Sequence, residues 1–168
     1  YHLGRLASTV GFRVHVIDDR DKFSNTDRFP DAMEVVVDNI PEWLEKASLS
    51  PHAYAVILTR GHTHDLDALR ALATQDLRYL GLIGSKAKVT RLHEVLREEG
   101  ITIEHPDRLH APVGLDIGAI SPEEIAVSIL AELIAVKYGK LEGAMDSGVK
   151  ALRWIPPVKR TTPVAADS

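Results

Sequence analysis

The sequence predicts an α/β fold in three layers, a parallel sheet with helices on both faces. Short apolar runs alternate along the chain with segments of helical periodicity, the order that builds parallel sheets. Each apolar run is followed first by a polar loop and then by a helix. The most informative stretch is residues 79–88, where an apolar run stops on glycine and turns directly into a helical pattern.

Length and composition describe an ordinary globular protein. The 168 residues are 45% hydrophobic and 26% charged, enough for one domain with a substantial core. The absence of cysteine excludes disulfides, thiolate metal sites and a cysteine nucleophile. A net charge of −4 without a basic run argues against nucleic-acid binding. No apolar run reaches the roughly 18 residues that cross a membrane, so no membrane association is expected.

Residues 2–11 read as a helix, and residues 12–17 as a strand ending on Asp18, Asp19 and Arg20. In a dinucleotide-binding unit, an acidic residue at the end of the second strand accepts the ribose hydroxyls. The strand end is therefore a candidate nucleotide site. The alternative is an amphipathic helix and strand followed by an accidental acidic pair.

Gly4 stands where the last glycine of the dinucleotide fingerprint would fall. The earlier glycines and the first strand would then lie upstream of Tyr1, so we expect the first strand to be missing. In Rossmann order that strand lies between the strands that end at Asp18 and Thr59. Two rows of backbone donors and acceptors are therefore expected to be unpaired.

The next predicted elements are a strand at 34–37, a short helix at 41–47, a strand at 54–59 and a helix at 66–73. Ligands of such sheets bind beyond the carboxyl ends of the strands. The polar loops after each strand are therefore the first places to look for a site.

His62 and His64 lie in one of these loops, and three interpretations of the pair remain open. With Asp65 and Asp67 nearby, the spacing offers ligands to a metal, although a likeness to the metallo-β-lactamase signature fails at its last two ligand positions. Either histidine is also a candidate ligand contact. Alternatively, Thr63 caps a helix that has both aspartates in its first turn.

The helix that follows Gly84 begins with basic rather than acidic residues, Ser85, Lys86 and Lys88. Helix N-termini carry a partial positive charge and usually collect Asp and Glu. Backbone N–H groups, the serine hydroxyl and the lysine ammonium groups together suit a phosphate. The alternative is a pair of solvated lysines.

Gly114, Asp116 and Gly118 form a glycine-flanked loop whose backbone is expected to approach a ligand closely. The following helix has Ser121 as N-cap with Glu124 completing a capping box, and it runs to Gly139. The helix at Ser85 is expected to have neither its own cap nor an acidic first turn, which favours an anion there.

These motifs together resemble one family. They are residues 16–20, Thr59 with His62 and His64, residues 81–86, residues 112–119 and residues 121–126. Over residues 1–139 the series is similar to the C-terminal Rossmann domain of the xanthine dehydrogenase accessory factor (XdhC/CoxI) family. Residues 140–168 are expected to form a partly disordered tail.

The resemblance implies a cytoplasmic maturation factor for molybdenum hydroxylases such as xanthine dehydrogenase. Such a factor binds molybdenum cofactor, shelters it during sulfuration by a cysteine desulfurase, and delivers it to the apoenzyme. By this resemblance, we expect the family's separate N-terminal domain to be missing from this sequence. A homodimer is compatible with this role, and no catalytic turnover is expected.

The expected cofactor-binding residues are Gly4, Asp18, Asp19, Arg20, His62, His64, Gly84, Ser85, Lys86, Gly114, Asp116 and Gly118, with no catalytic or metal-binding residue among them. The ligand is either molybdenum cofactor or NAD(P) or another nucleotide. The rival function is an NAD(P)-linked oxidoreductase, with Asp18 or Asp19 on the ribose and His62 or His64 as proton donor.

Overall fold

The computed structural model describes residues 1–141, apart from the side chain of His62. The predicted tail at 140–168 therefore lies almost wholly outside the described residues. The elements in chain order are α1 His2–Thr9, β1 His15–Asp18, β2 Glu34–Val37, α2 Ile40–Lys46, β3 Tyr54–Ile57, α3 His62–Ala73, β4 Tyr79–Leu82, α4 Lys86–Glu98, a 3-10 turn Pro106–Arg108, β5 Leu109–His110 and α5 Pro122–Lys137.

The predicted parallel α/β fold is confirmed. β1 pairs with β2, and β4 lies between β3 and β5, with every described pairing parallel. Leu80 and Leu82 of β4 belong to a core formed with α2, α3 and α4. Tyr79 belongs to a second core with Ile129 and Leu133 of α5. The alternation along β4 thus separates two helical layers, which makes three layers in all.

Two predictions about helix starts are wrong. α3 begins at His62 with Gly61 as its N-cap, so Thr63 lies inside the helix and does not cap it. At α4, the Ser85 side chain accepts a hydrogen bond from the Lys88 N–H, because Ser85 has the extended conformation of an N-cap. That helix therefore does supply its own cap, although its first turn has no acidic residue as predicted.

Other local predictions hold. The capping box of Ser121 and Glu124 is present at the start of α5, and the helix stops just before Gly139, which has a φ of +63°. The two-residue strand β5 was not predicted, because it is too short to show a periodicity. No helix within residues 1–141 is long and apolar enough to cross a bilayer.

A cleft of approximately 1340 Å³ separates β1 from β3. The strands run in the same direction on its two sides, since Phe12 contacts Tyr54 near their amino ends at 5.6 Å and Arg60 lies 5.3 Å from the Phe23 ring near their carboxyl ends. Among residues 1–141, no hydrogen-bonded pairing joins β1 to β3. The two edges expected to be unpaired therefore face each other across the cleft.

Backbone register identifies which groups point into this space. The carbonyls of Ala53 and Ile57 accept hydrogen bonds from the β4 side, so the alternate residues Tyr54 and Val56 direct their N–H and C=O groups toward the cleft. By the same argument, the β1 carbonyls of Val14 and Asp18 face β2. The intervening residues of β1 face the cleft.

This arrangement predicts an alternation in amide hydrogen exchange along β3. The amides of Tyr54 and Val56 should exchange at least about tenfold faster than those of Ala55 and Ile57, because only the latter are held in the ladder with β4. Exchange measured residue by residue by NMR would check this. Equal protection along the strand would show that the cleft edge of β3 is covered.

Candidate ligand site at the carboxyl ends of the strands

At the carboxyl end of β1, the Asp18 side chain is hydrogen-bonded to Arg20. The Arg20 Nε and Nη2 groups donate to the two carboxylate oxygens at 2.7 and 2.8 Å, and the Arg20 backbone N–H donates to Asp18 Oδ1 at 3.1 Å. Burial alone would raise the pKa of the Asp18 carboxyl, but the bonds from Arg20 outweigh it and lower that pKa. Asp19 is exposed, and its Oδ1 lies 3.4 Å from Arg20 Nε. Both carboxylates therefore contact Arg20, and Asp19 is the less engaged of the two.

A buried charge cluster ties the loop after β3 to the loop after β4. Asp65 is fully buried and accepts a 2.6 Å hydrogen bond from the Thr59 hydroxyl. Its second carboxylate oxygen contacts the Lys88 ammonium, which also donates to the Ile83 carbonyl at 3.2 Å. Asp65 is thus an internal anchor and not a helix-capping residue. Lys88 is committed to it, so its ammonium group is not available to a phosphate.

Gly84 allows this arrangement. A Cβ atom at Gly84 would lie 2.7 Å from Lys88 Cδ, so the bare backbone gives the lysine stem room to pass. Ser85 and Lys86 are exposed at the start of α4. The Ser85 hydroxyl accepts the Lys88 N–H and keeps its own O–H free to donate. The groups available to an anion are therefore this hydroxyl, the Lys86 ammonium and the first backbone N–H groups of the helix.

A second buried network is centred on Glu132 of α5, which is fully buried. Its carboxylate accepts hydrogen bonds from the Tyr79 hydroxyl at 2.5 Å and the Gly114 N–H at 2.9 Å. It also lies 3.0 Å from Nδ1 of His110, whose ring stacks on Tyr79 at 4.2 Å. Burial opposes ionisation, yet the hydrogen bonds and the charge of His110 lower the pKa of the Glu132 carboxyl. Burial and the Glu132 charge raise the pKa of Tyr79 well above its usual value.

Sequence reasoning missed Glu132, although a signal was present. It is the sole charged residue within the apolar stretch 125–136. A charge is almost never fully buried unless it is paired, so an acidic residue there indicates a buried partner.

The glycine loop before α5 is anchored at one end. A Cβ at Gly114 would lie 2.5 Å from the Ser128 hydroxyl, and the φ of Gly114 is +102°. The Ser128 hydroxyl donates to the Leu115 carbonyl at 2.6 Å. Asp116 and Gly118 are exposed, with open space around Gly118. The backbone at Gly114 is therefore closely packed, as expected, but it packs against α5.

The cleft brings together part of the predicted site. Its lining includes Gly4, Asp18, Asp19, Arg20 and His64. Gly4 lies close to Phe29, where an added Cβ would be 3.0 Å from the ring.

The remaining predicted residues lie outside this lining. They are Gly84, Ser85, Lys86, Gly114, Asp116 and Gly118. The position of the His62 side chain is not described. Within residues 1–141, no three His, Asp or Glu side chains converge as metal ligands.

Comparison with known proteins identifies the family. The family model of the XdhC Rossmann domain matches residues 1–133. The chain belongs to this family. It shares 36% identity over 136 residues with a probable xanthine dehydrogenase component of Bacillus subtilis, and 35% over 144 residues with the uncharacterised protein YqeB of Escherichia coli K12.

These matches cover 80% and 85% of this chain but only 39% and 26% of the respective relatives. A solved structure from Bacillus halodurans, described as a xanthine dehydrogenase, is 38% identical with a TM-score of 0.72. It covers 83% of this chain, which corresponds to 39% of that protein. The XdhC Rossmann domain is therefore one part of these longer relatives.

The Glu132 network predicts a large effect of one substitution. Glu132→Gln should lower the free energy of unfolding by about 2–4 kcal/mol, because it leaves buried partners unsatisfied. Glu123→Gln, exposed on the same helix, is the matched control and should change it by less than about 0.5 kcal/mol. Denaturant unfolding at neutral pH measures both.

The sign of the pH dependence follows from the lowered pKa of Glu132. Its stabilising contribution is present above the unfolded carboxyl pKa of about 4.3 and is lost as the pH falls through the folded value. The stability gap between the wild type and Glu132→Gln should therefore shrink in acid. A gap that widens below that pH would contradict an ionised Glu132.

Proposed function

We propose that this chain is the cofactor-binding part of an accessory factor for a molybdenum hydroxylase of the xanthine dehydrogenase type. Its family membership over residues 1–133 is the observation that carries the proposal. The relative named as a probable xanthine dehydrogenase component supports a xanthine dehydrogenase as the partner. In this role the chain holds molybdenum cofactor for sulfuration by a cysteine desulfurase and for insertion into the apoenzyme.

The donor groups on the chain fit the phosphate end of that cofactor. The first turn of α4 exposes Ser85 and Lys86, has no acidic residue, and leaves its leading N–H groups without intrahelical partners. When bound, the cofactor supplies the redox-active molybdenum centre of the hydroxylase. The part of this chain is to bind and orient it, with Lys86 providing the charge on the phosphate. Asp116 and the glycine loop would be further contacts of the bound cofactor.

The test is Lys86→Gln. Affinity for molybdenum cofactor should fall by about tenfold or more, the value of one charge-assisted hydrogen bond, while stability hardly changes because the side chain is exposed. Arg91→Gln, one turn later on α4 and also exposed, is the matched control. Equilibrium dialysis with molybdenum quantified in each chamber measures the affinity. Unchanged affinity in Lys86→Gln would place the phosphate elsewhere.

An NAD(P)-linked oxidoreductase is the second candidate, favoured by the grouping of Gly4, Asp19 and His64 around one cleft. If this is the function, Asp19→Ala should abolish NAD binding, because Asp18 is already bonded to Arg20. For the accessory factor, the same change should leave binding of molybdenum cofactor intact. Isothermal titration separates the two. Reduction of NAD(P) with a small-molecule substrate, in the absence of any hydroxylase, would exclude the non-catalytic role.

A further inference from the structure

Three arginines surround one aromatic ring at the carboxyl ends of β1 and β3. The guanidinium carbons of Arg20, Arg60 and Arg28 lie 4.2, 5.3 and 5.7 Å from the centre of the Phe23 ring. All are within the range of cation–π contacts with this ring, and Arg28 also lies 4.7 Å from the centre of the Tyr1 ring. Arg20 and Arg28 follow β1 and Arg60 follows β3, and all of these side chains line the cleft.

The positive charge of this cluster is only partly neutralised. Asp18 and Asp19 contact Arg20. Within residues 1–141, neither Arg28 nor Arg60 forms an ion pair with a carboxylate. Nη1 of Arg20 and Nε of Arg28 are buried without a hydrogen-bond partner. Buried donors without acceptors are uncommon in folded proteins, and neighbouring cations repel each other. A bound anion would compensate both effects.

The position of the cluster indicates where that anion lies on a ligand. The end of this strand is where a dinucleotide fold places the adenosine ribose. An acidic residue there selects free ribose hydroxyls, but here Asp18 uses both of its oxygens for Arg20, and Asp19 also pairs with Arg20 at 3.4 Å. Guanidinium groups bind phosphate oxygens in bidentate geometry. The polarity of this strand end thus favours a phosphate over a pair of hydroxyls.

We propose that Arg20, Arg28 and Arg60, arranged around Phe23, bind a phosphate group at the ribose of an adenine nucleotide, so that the cleft takes the 2′-phosphorylated form in preference to the free ribose. This site is separate from the α4 terminus at Lys86 and does not depend on which ligand binds there.

The experiment is isothermal titration of the full chain with 2′-AMP, 5′-AMP and adenosine. We expect 2′-AMP to bind at least about tenfold more tightly than adenosine, as one charge-assisted contact predicts. Arg60→Gln should remove about tenfold of the 2′-AMP affinity and leave adenosine binding unchanged. Arg60 is exposed, so this variant should fold normally. Arg13→Gln, exposed at the opposite end of β1 and also lining the cleft, is the matched control and should behave as wild type.

Three results would overturn the proposal. Equal binding of 2′-AMP and adenosine would show that no phosphate site exists at this strand end. Equal binding of 2′-AMP and 5′-AMP, both sensitive to Arg60→Gln, would show a phosphate site that is not tied to the ribose 2′ position. A second variant, Phe23→Leu, should weaken 2′-AMP binding by disordering the guanidinium groups, and wild-type affinity in that variant would contradict the arrangement. Failure here leaves the Lys86 test of the accessory role unaffected.

Discussion

The carboxylate of Glu132 connects more of the fold than any local motif does. It stands on α5 and accepts hydrogen bonds from Tyr79 of β4 and from the backbone of Gly114, with His110 of β5 on its other oxygen. A charge with no solvent exposure is stable only when such partners are all present. The position of the glycine loop before α5 therefore depends on the same contacts that join α5 to the sheet.

Charged residues at the carboxyl ends of the strands divide into committed and uncommitted groups. Asp18 pairs with Arg20, and Asp65 pairs with Lys88, so these residues hold loops in place. Lys86 and Arg60 are exposed and form no ion pair within residues 1–141. These two cations lie after β4 and β3, and each belongs to one proposed anion site. The charged groups available to a ligand are those that do not take part in these internal ion pairs.

Within the described residues, the edges of β1 and β3 that face the cleft are not hydrogen-bonded to each other. Strand edges with free backbone N–H and C=O groups can form hydrogen bonds with another extended segment. Here two such edges run in the same direction and face each other across the cleft, held at their ends by Phe12 with Tyr54 and by Phe23 with Arg60. The same aromatic ring that organises the arginines therefore also spans the carboxyl end of the cleft.

The order of elements, the parallel sheet, the glycine turn at Gly84 and the capping box at Ser121 follow from the sequence alone, because each depends on residues within a turn or two of chain. The roles of Lys88, Asp65 and Glu132 do not. From the local sequence, Lys88 is a candidate phosphate ligand. The tertiary structure shows that its ammonium group is paired with Asp65, which is 23 positions away in the chain. Tyr79 and Glu132 are 53 residues apart. Whether a charged side chain is free to bind a ligand depends on partners that tertiary packing brings close to it. Local sequence periodicity does not predict which distant residues these partners are.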